Sequence, residues 1–157
     1  MNKITFTLNN KEVSFTLTPT MRLLDVLRNH FGLFGSKEGC GEGECGACAI
    51  LLNNKLINSC LIPAGSVHNQ TVMTIEGLSE TPQGKMLTKA YGIKGAVQCG
   101  FCTPGMMMAS HALLSKTPHP TVEEIKIGLS GNLCRCTGYN MIIEAVQYAA
   151  KEGEGLW

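Results

Sequence analysis

The first third of the chain shows period-two hydrophobic patterning, which indicates strands with one buried face. Apolar residues alternate with polar ones over residues 4–8 and again over 13–17. The Asn9-Asn10 pair between these segments is typical of a tight turn. Residues 3–18 are therefore predicted to form a β-hairpin.

An amphipathic helix and further strands are predicted next. The apolar stripe of the helix consists of Leu23, Leu24, Leu27 and Phe31. Thr20 is the expected N-cap, and Gly32 is the expected stop signal. A second hairpin around Asn53-Asn54 and a short strand at 71–75 complete a small mixed sheet over one helix.

The pattern changes after the segment SETPQG, residues 79–84, which has turn residues and no hydrophobic periodicity. We interpret it as a linker between an N-terminal domain, 1–78, and a C-terminal domain, 85–157. Because the second part shows helical rather than strand periodicity, the predicted fold class is α+β.

The C-terminal domain is predicted to be all-α with four helices. The first is a short helix at 86–91, and the last runs over about 139–151. Of the two between them, one begins at Thr103-Pro104 and the other at a Thr121/Glu124 capping box. Three consecutive methionines, 106–108, lie on the helix that begins at Thr103-Pro104. They cannot share one helix face, so core packing explains one or two and the remaining one is a candidate for contact with a partner subunit.

Composition narrows the function classes. The 157 residues are 44% hydrophobic and 16% charged with a net charge of +1, which gives no sign of nucleic-acid binding. The N-terminus lacks the apolar run of a signal peptide, and no apolar stretch has the length of a membrane span. We expect a cytoplasmic protein, in which eight cysteines indicate metal or redox chemistry rather than disulfides.

The first four cysteines have the spacing C-x4-C-x2-C-x11-C; they are Cys40, Cys45, Cys48 and Cys60. The opening of this pattern matches plant-type [2Fe–2S] sites. Gly41, Gly43 and Gly46 also spell G-x-G-x-x-G, the dinucleotide fingerprint. That fingerprint should lie between a strand and a helix of a βαβ unit, whereas this segment precedes a hairpin. We therefore interpret the glycines as residues that let the backbone wrap closely around a metal cluster.

The second four cysteines have the spacing C-x2-C-x31-C-x-C; they are Cys99, Cys102, Cys134 and Cys136. Each pair precedes a predicted helix, so the four sulfurs can surround one centre. The spacing is compatible with a second iron–sulfur cluster, and a structural four-cysteine zinc site is the alternative. The two sets use all eight cysteines, and no catalytic residue is expected on this chain.

Three motifs, GCGEGECGAC with Cys60, VQCGFCTPG and GNLCRCTGY, occur in an order that resembles the iron–sulfur subunit of the xanthine dehydrogenase family of molybdenum hydroxylases. Small subunits of carbon monoxide, nicotinate, isoquinoline and aldehyde dehydrogenases of this family are similar. The resemblance covers nearly the whole chain. It implies a plant-ferredoxin-like β-grasp domain and a four-helix domain, each with a [2Fe–2S] cluster.

The resemblance also implies partners and a direction of electron flow. Electrons would pass one at a time from a molybdopterin cofactor on large subunits, through both clusters, to FAD on a medium subunit, within a dimer of such heteromers. Gln98 and Cys136 would contact the molybdopterin. The substrate class implied is an N-heterocycle, of the purine or nicotinate type, or an aldehyde. A free ferredoxin-type carrier and a zinc-stabilised interaction module are the alternative functions.

Overall fold

The computed structural model describes residues 2–157 of the chain. Its N-terminal part is built on one mixed sheet with the strand order β2-β1-β5-β3-β4. The strands are β1 (Asn2–Leu8), β2 (Lys11–Leu17), β3 (Ala49–Leu52), β4 (Lys55–Asn58) and β5 (Thr71–Met73). Strand β1 is parallel to β5, and the other neighbouring strands are antiparallel.

Both predicted hairpins are confirmed. Asn9, Asn10, Asn53 and Asn54 all have positive φ angles, between 49° and 65°. Two successive residues with positive φ are what the favoured two-residue hairpin turn requires, and asparagine tolerates this conformation better than most residues.

The predicted N-terminal helix forms, but its start differs from the prediction. Helix α1 (Leu23–Asp25) continues as a π-helical turn (Val26–His30). Arg22, not Thr20, occupies the N-cap position, because Arg22 is held by a β-bridge to Pro63. Gly32 has a φ of +67° and follows the C-cap residue Phe31, as predicted for its stop signal.

The C-terminal part contains five helices in the described residues: α2 (Ile75–Glu80), α3 (Pro82–Ile93), α4 (Thr103–Leu114), α5 (Val122–Gly128) and α6 (Asn140–Glu152). Helix α2 was not predicted, because it has only six residues and contains Gly77. Residues 79–84 are thus largely helical, with Thr81 capping α3 through the N–H of Gly84, and are not the irregular segment expected. The division at 78 and 85 stays a prediction.

The caps of α4 and α5 show where local sequence signals suffice. The capping box between Thr121 and Glu124 is present, as predicted. Helix α4, however, begins at Thr103 with Cys102 at its N-cap position.

The methionines at 106–108 are all buried, so the prediction that one of them faces a partner is wrong. The reason is that α4 packs against β3, α2, α3 and α5 and has no free face at this point.

Strand β3 joins the two parts of the molecule. Ile50 packs in the core that the sheet shares with α1, whereas Ala49 and Leu51 pack in the core of the helices. Successive residues of a strand point to opposite faces, so this short strand serves both cores. The architecture confirms the predicted α+β fold. No helix within residues 2–157 has the length and hydrophobicity that a membrane span requires.

Candidate metal centres

The first cysteine loop, residues 39–48, directs backbone N–H groups at sulfur. The N–H groups of Glu42 and Glu44 both lie 3.3 Å from Cys40 Sγ. The hydrogen bond from Glu42, together with those from Cys45 and Glu44, lowers the pKa of the Cys40 thiol to about 7. Hydrogen bonds that stabilise a thiolate also stabilise the ligand form that a metal needs.

The four cysteines of the first set come together as two pairs. The Cys40 thiol interacts with Cys45, and the Cys60 thiol interacts with Cys48. Burial, followed by the contact with Cys48, raises the pKa of Cys60 to about 11. Asn58 links the two pairs, because its Oδ1 lies 3.9 Å from Cys48 Sγ and its side-chain N–H donates at 2.7 Å to a carbonyl of the loop between Cys40 and Cys45.

Glycine allows the backbone of this loop to approach the sulfurs. Gly41, Gly43 and Gly46 have φ angles of +71°, +81° and +70°. A Cβ atom on Gly39 would lie 2.8 Å from Cys45 Sγ, closer than real contacts allow. Side chains at these positions would therefore strain the loop or displace a thiol.

The second set is likewise paired. Cys136 Sγ lies 3.6 Å from Cys99 Sγ, and the thiols of Cys102 and Cys134 interact. All four line one cavity of about 370 Å³ together with Phe101, Leu133, Arg135 and Tyr139. Cys102 and Cys134 lie on the inner side of this cavity, whereas Cys99 and Cys136 are exposed.

The pKa values of the two inner cysteines of the second set, Cys102 and Cys134, are shifted in opposite directions. Burial raises the pKa of Cys102 to about 12. Burial also acts to raise that of Cys134, but the Thr137 hydroxyl at 3.1 Å and the Thr137 N–H at 3.5 Å donate to its sulfur and lower its pKa to about 7. Thr137 is thus a thiolate-stabilising residue that sequence reasoning did not single out, although it follows CRC directly.

The paired arrangement fits a [2Fe–2S] cluster at each site, because each of the two irons takes two thiolates. Within residues 2–157, no three His, Cys, Asp or Glu side chains surround one common metal position. Hydrogen-bond donors face Cys40 in the first set and Cys134 in the second. Donors to sulfur suit a cluster whose thiolates carry negative charge.

The two sites are in direct contact through backbone groups. The N–H of Leu133 donates to the carbonyl of Cys45 at 2.9 Å, and the buried side chain of Asn132 donates to the carbonyl of Gly46 at 3.1 Å. Gly105, in the first turn of α4, packs against the same Gly46 carbonyl. The only sequence signal for this contact is that Asn132 and Leu133 immediately precede Cys134.

Gln98 lies beside the exposed edge of the second site. Its side chain is exposed, as are those of Cys99 and Cys136. Among the described residues it has no hydrogen-bond partner, and it caps no helix, since Cys102 holds the N-cap position of α4. Gln98 is therefore available to a partner molecule on that side.

Two family models together match almost the whole chain. The model described as "2Fe-2S iron-sulfur cluster binding domain" matches residues 6–71, and the one described as "[2Fe-2S] binding domain" matches residues 74–147. The nicotinate dehydrogenase small FeS subunit of Eubacterium barkeri is 50% identical over 96% of this chain and 98% of its own length. The chain belongs to the iron–sulfur small subunits of the xanthine dehydrogenase family.

Other members of this family carry the same unit alone or fused to further domains. The xanthine dehydrogenase iron-sulfur-binding subunit of Escherichia coli O157:H7 is 43% identical, with 89% of both chains covered. The crystal structure of quinoline 2-oxidoreductase from Pseudomonas putida 86 superposes with a TM-score of 0.90 at 39% identity, over 96% of this chain and 94% of that one. The aldehyde oxidoreductase of Desulfovibrio desulfuricans ATCC 27774 superposes with a TM-score of 0.92 at 36% identity, over 99% of this chain but 17% of that one.

These relatives confirm the family predicted from the cysteine motifs. The small iron–sulfur subunit is part of an oxidoreductase complex, and its role is electron transfer. The two family models support two [2Fe–2S] clusters in one chain, in place of the zinc-stabilised module considered as an alternative.

Proposed function

We propose that Cys40, Cys45, Cys48 and Cys60 hold one [2Fe–2S] cluster, and that Cys99, Cys102, Cys134 and Cys136 hold the other. When bound, such a cluster accepts or releases one electron at a time. The observation that carries this assignment is the pairing of thiols, two by two, at both sites. The N–H groups of the first loop and the Thr137 hydroxyl stabilise the thiolate ligands.

We further propose that the chain relays electrons from a molybdopterin cofactor to FAD, both held by partner subunits. The contact between the Leu133 N–H and the Cys45 carbonyl supports a path between the two sites. Cys45 belongs to the first ligand set, and Leu133 is bonded directly to Cys134 of the second. The path from one ligand to the other thus needs only one hydrogen bond and a short stretch of backbone.

The second site is the proposed entry point for electrons. Its cysteines Cys99 and Cys136 are exposed, so a cofactor on another subunit can approach them closely. Exposed Gln98 supplies an amide that is free to bind a polar cofactor edge. The first site is then the proposed exit toward FAD.

The surface of the second site supports a stable complex rather than a diffusing carrier. Val97, Phe101 and Leu133 are large apolar side chains that are about half exposed there. Exposed apolar clusters of this kind mark protein–protein contacts. We propose large molybdopterin-binding subunits and a medium FAD-binding subunit as partners, assembled as a dimer of heteromers. We also propose a cytoplasmic location, because cysteines that bind iron must stay reduced and the cytoplasm is a reducing compartment.

The proposed reaction of the complex is hydroxylation of an N-heterocycle, of the purine or nicotinate type, or of an aldehyde. Similarity to the nicotinate dehydrogenase small subunit supports the N-heterocycle class. In this proposal the described residues, 2–157, hold the clusters and dock the partners, and the partner subunits bind the substrate.

Metal analysis of the purified subunit tests the cluster assignment. We expect about four iron atoms and four acid-labile sulfides per chain, with two distinct [2Fe–2S] EPR signals after reduction. Zinc in place of iron at either site would contradict the proposal. Copurification of molybdopterin-binding and FAD-binding chains tests the relay, and a stable monomeric carrier without such partners would favour the free ferredoxin.

Replacing Gln98 by alanine tests the entry point. We expect slower reduction of the second cluster by substrate, or weaker retention of molybdopterin, with iron content unchanged, because one amide contact worth roughly 0.5–1.5 kcal/mol is lost. Rapid-freeze EPR of the intact complex measures the rate. Gln147→Ala is the control, since Gln147 is exposed on α6, outside the second cysteine site. Equal rates and equal molybdenum content in both variants would exclude Gln98 from cofactor binding.

A further inference from the structure

Lys37 connects the two cysteine sites. Its backbone N–H donates to the carbonyl of Ala47 in the first cysteine loop at 3.0 Å. Its ammonium group donates to the Gly35 carbonyl at 3.1 Å and lies 6.0 Å from the ring centre of Phe101. Phe101 belongs to the CGFC turn, residues 99–102, of the second site. The lysine is thus fixed to one site by its backbone and reaches the other with its charge.

The charge of Lys37 is not neutralised by a neighbouring carboxylate. The adjacent Glu38 is bound by the Arg22 guanidinium at 2.8 and 2.9 Å, and Arg22 also binds Asp25. Among residues 2–157, no Asp or Glu lies within ion-pair distance of the Lys37 ammonium. Lys37 is also only partly exposed, so solvent screens its charge less than that of a free surface lysine.

We propose that Lys37 is an electrostatic tuning residue, whose positive charge favours one-electron reduction at both cysteine sites. The proposal rests on the cluster assignment given above. Reduction adds one electron to a cluster and converts one Fe(III) to Fe(II), with no bond made or broken and the electron supplied by the upstream donor. A nearby positive charge stabilises the added negative charge. The Phe101 ring contributes by holding the ammonium group over its face.

The test is an EPR-monitored redox titration of the intact complex with dithionite, comparing wild type with Lys37→Met. Methionine keeps an unbranched apolar stem and removes the charge. We expect the ratio of reduced to oxidised cluster, at a fixed potential, to fall several-fold at both sites; a tenfold fall corresponds to about 59 mV for one electron. Lys37→Gln should give the same direction of change, and Lys37→Arg should keep both ratios near wild type.

Lys116→Met is the matched control. Lys116 is exposed and lies beyond the far end of α4, and the 12 residues of this helix span about 18 Å along its axis. Both ratios should be unchanged in this variant. An unchanged ratio at either site in Lys37→Met and Lys37→Gln, or an equal change in Lys116→Met, would overturn the proposal. If the wild type lacked two [2Fe–2S] signals, the cluster assignment itself would fail, which is a separate result.

Discussion

Cys45→Ser should abolish the first cluster and leave the second intact. Cys45 pairs with Cys40, and serine is a poor replacement for a thiolate iron ligand. We expect iron to fall from about four to about two atoms per chain, with one of the two EPR signals lost. The first cysteine loop should also lose order, because a loop so rich in glycine has little conformational preference of its own and is held by its metal.

Hydrogen exchange and iron analysis measure the two parts of this prediction. Exchange should accelerate over residues 36–60 and remain slow in α4 and α6, which pack in the other core. Cys99→Ser is the reciprocal control, since Cys99 belongs to the second set, and it should remove only the second signal. A folded Cys45→Ser variant that lost both signals together would show that the two sites are not independent.

Gly105→Ala should force the two cysteine sites apart. A Cβ atom on Gly105 would lie only 2.2 Å from the carbonyl oxygen of Gly46 and 3.2 Å from the Asn132 side-chain nitrogen. The first of these is a backbone atom, which cannot move aside as the end of a flexible side chain can. The nearby hydrogen bonds from Leu133 to Cys45 and from Asn132 to Gly46 would therefore be stretched or broken.

We expect two measurable effects of Gly105→Ala. The free energy of unfolding should fall by about 1–3 kcal/mol, the usual cost of forcing an extra methyl into a packed interior. Electron transfer between the clusters should slow, because the hydrogen-bonded path between Cys45 and Leu133 is lengthened. Its rate can be measured by flash reduction or by rapid-freeze EPR. Iron content should stay at the wild-type level, since no ligand has changed.

Gly92→Ala is the matched control for this variant. Gly92 is also a helical glycine, but a Cβ atom there would meet no other atom within 4 Å. Alanine should be neutral or should stabilise α3 by up to about 1 kcal/mol. If Gly105→Ala matched Gly92→Ala in both stability and electron-transfer rate, the close contact between the sites would contribute to neither property.

The position of strand β3 explains why such a small chain holds two sites so close together. One face of β3 packs on α1 and the other on the helical core, with α4 lying against the strand. The first cysteine loop ends where β3 begins, and the CGFC turn ends where α4 begins. Packing α4 on β3 therefore brings the two cysteine motifs together without a long linker.

Local signals in the sequence determined the hairpins, the α+β class and the cysteine sets. Asn9-Asn10 and Asn53-Asn54 specify turns through their tolerance of positive φ, and the Thr121/Glu124 box specifies the start of α5. These features depend on residues a few positions apart, so periodicity and turn chemistry are sufficient to predict them. The cysteine spacing likewise limits the metal chemistry, and the order of the three motifs identified the family.

Only the tertiary structure decided which thiols pair and how the two sites meet. Cys48 pairs with Cys60, and Cys102 pairs with Cys134. The number of residues between the members of each pair does not reveal how close they lie in the folded chain. The N-cap of α1 at Arg22 depends on a bridge to Pro63, which overrode the local preference for Thr20. Burial of all three methionines and the reach of Lys37 to Phe101 depend in the same way on elements that pack from elsewhere in the chain. Such long-range contacts are set by packing, to which a single sequence gives no direct access.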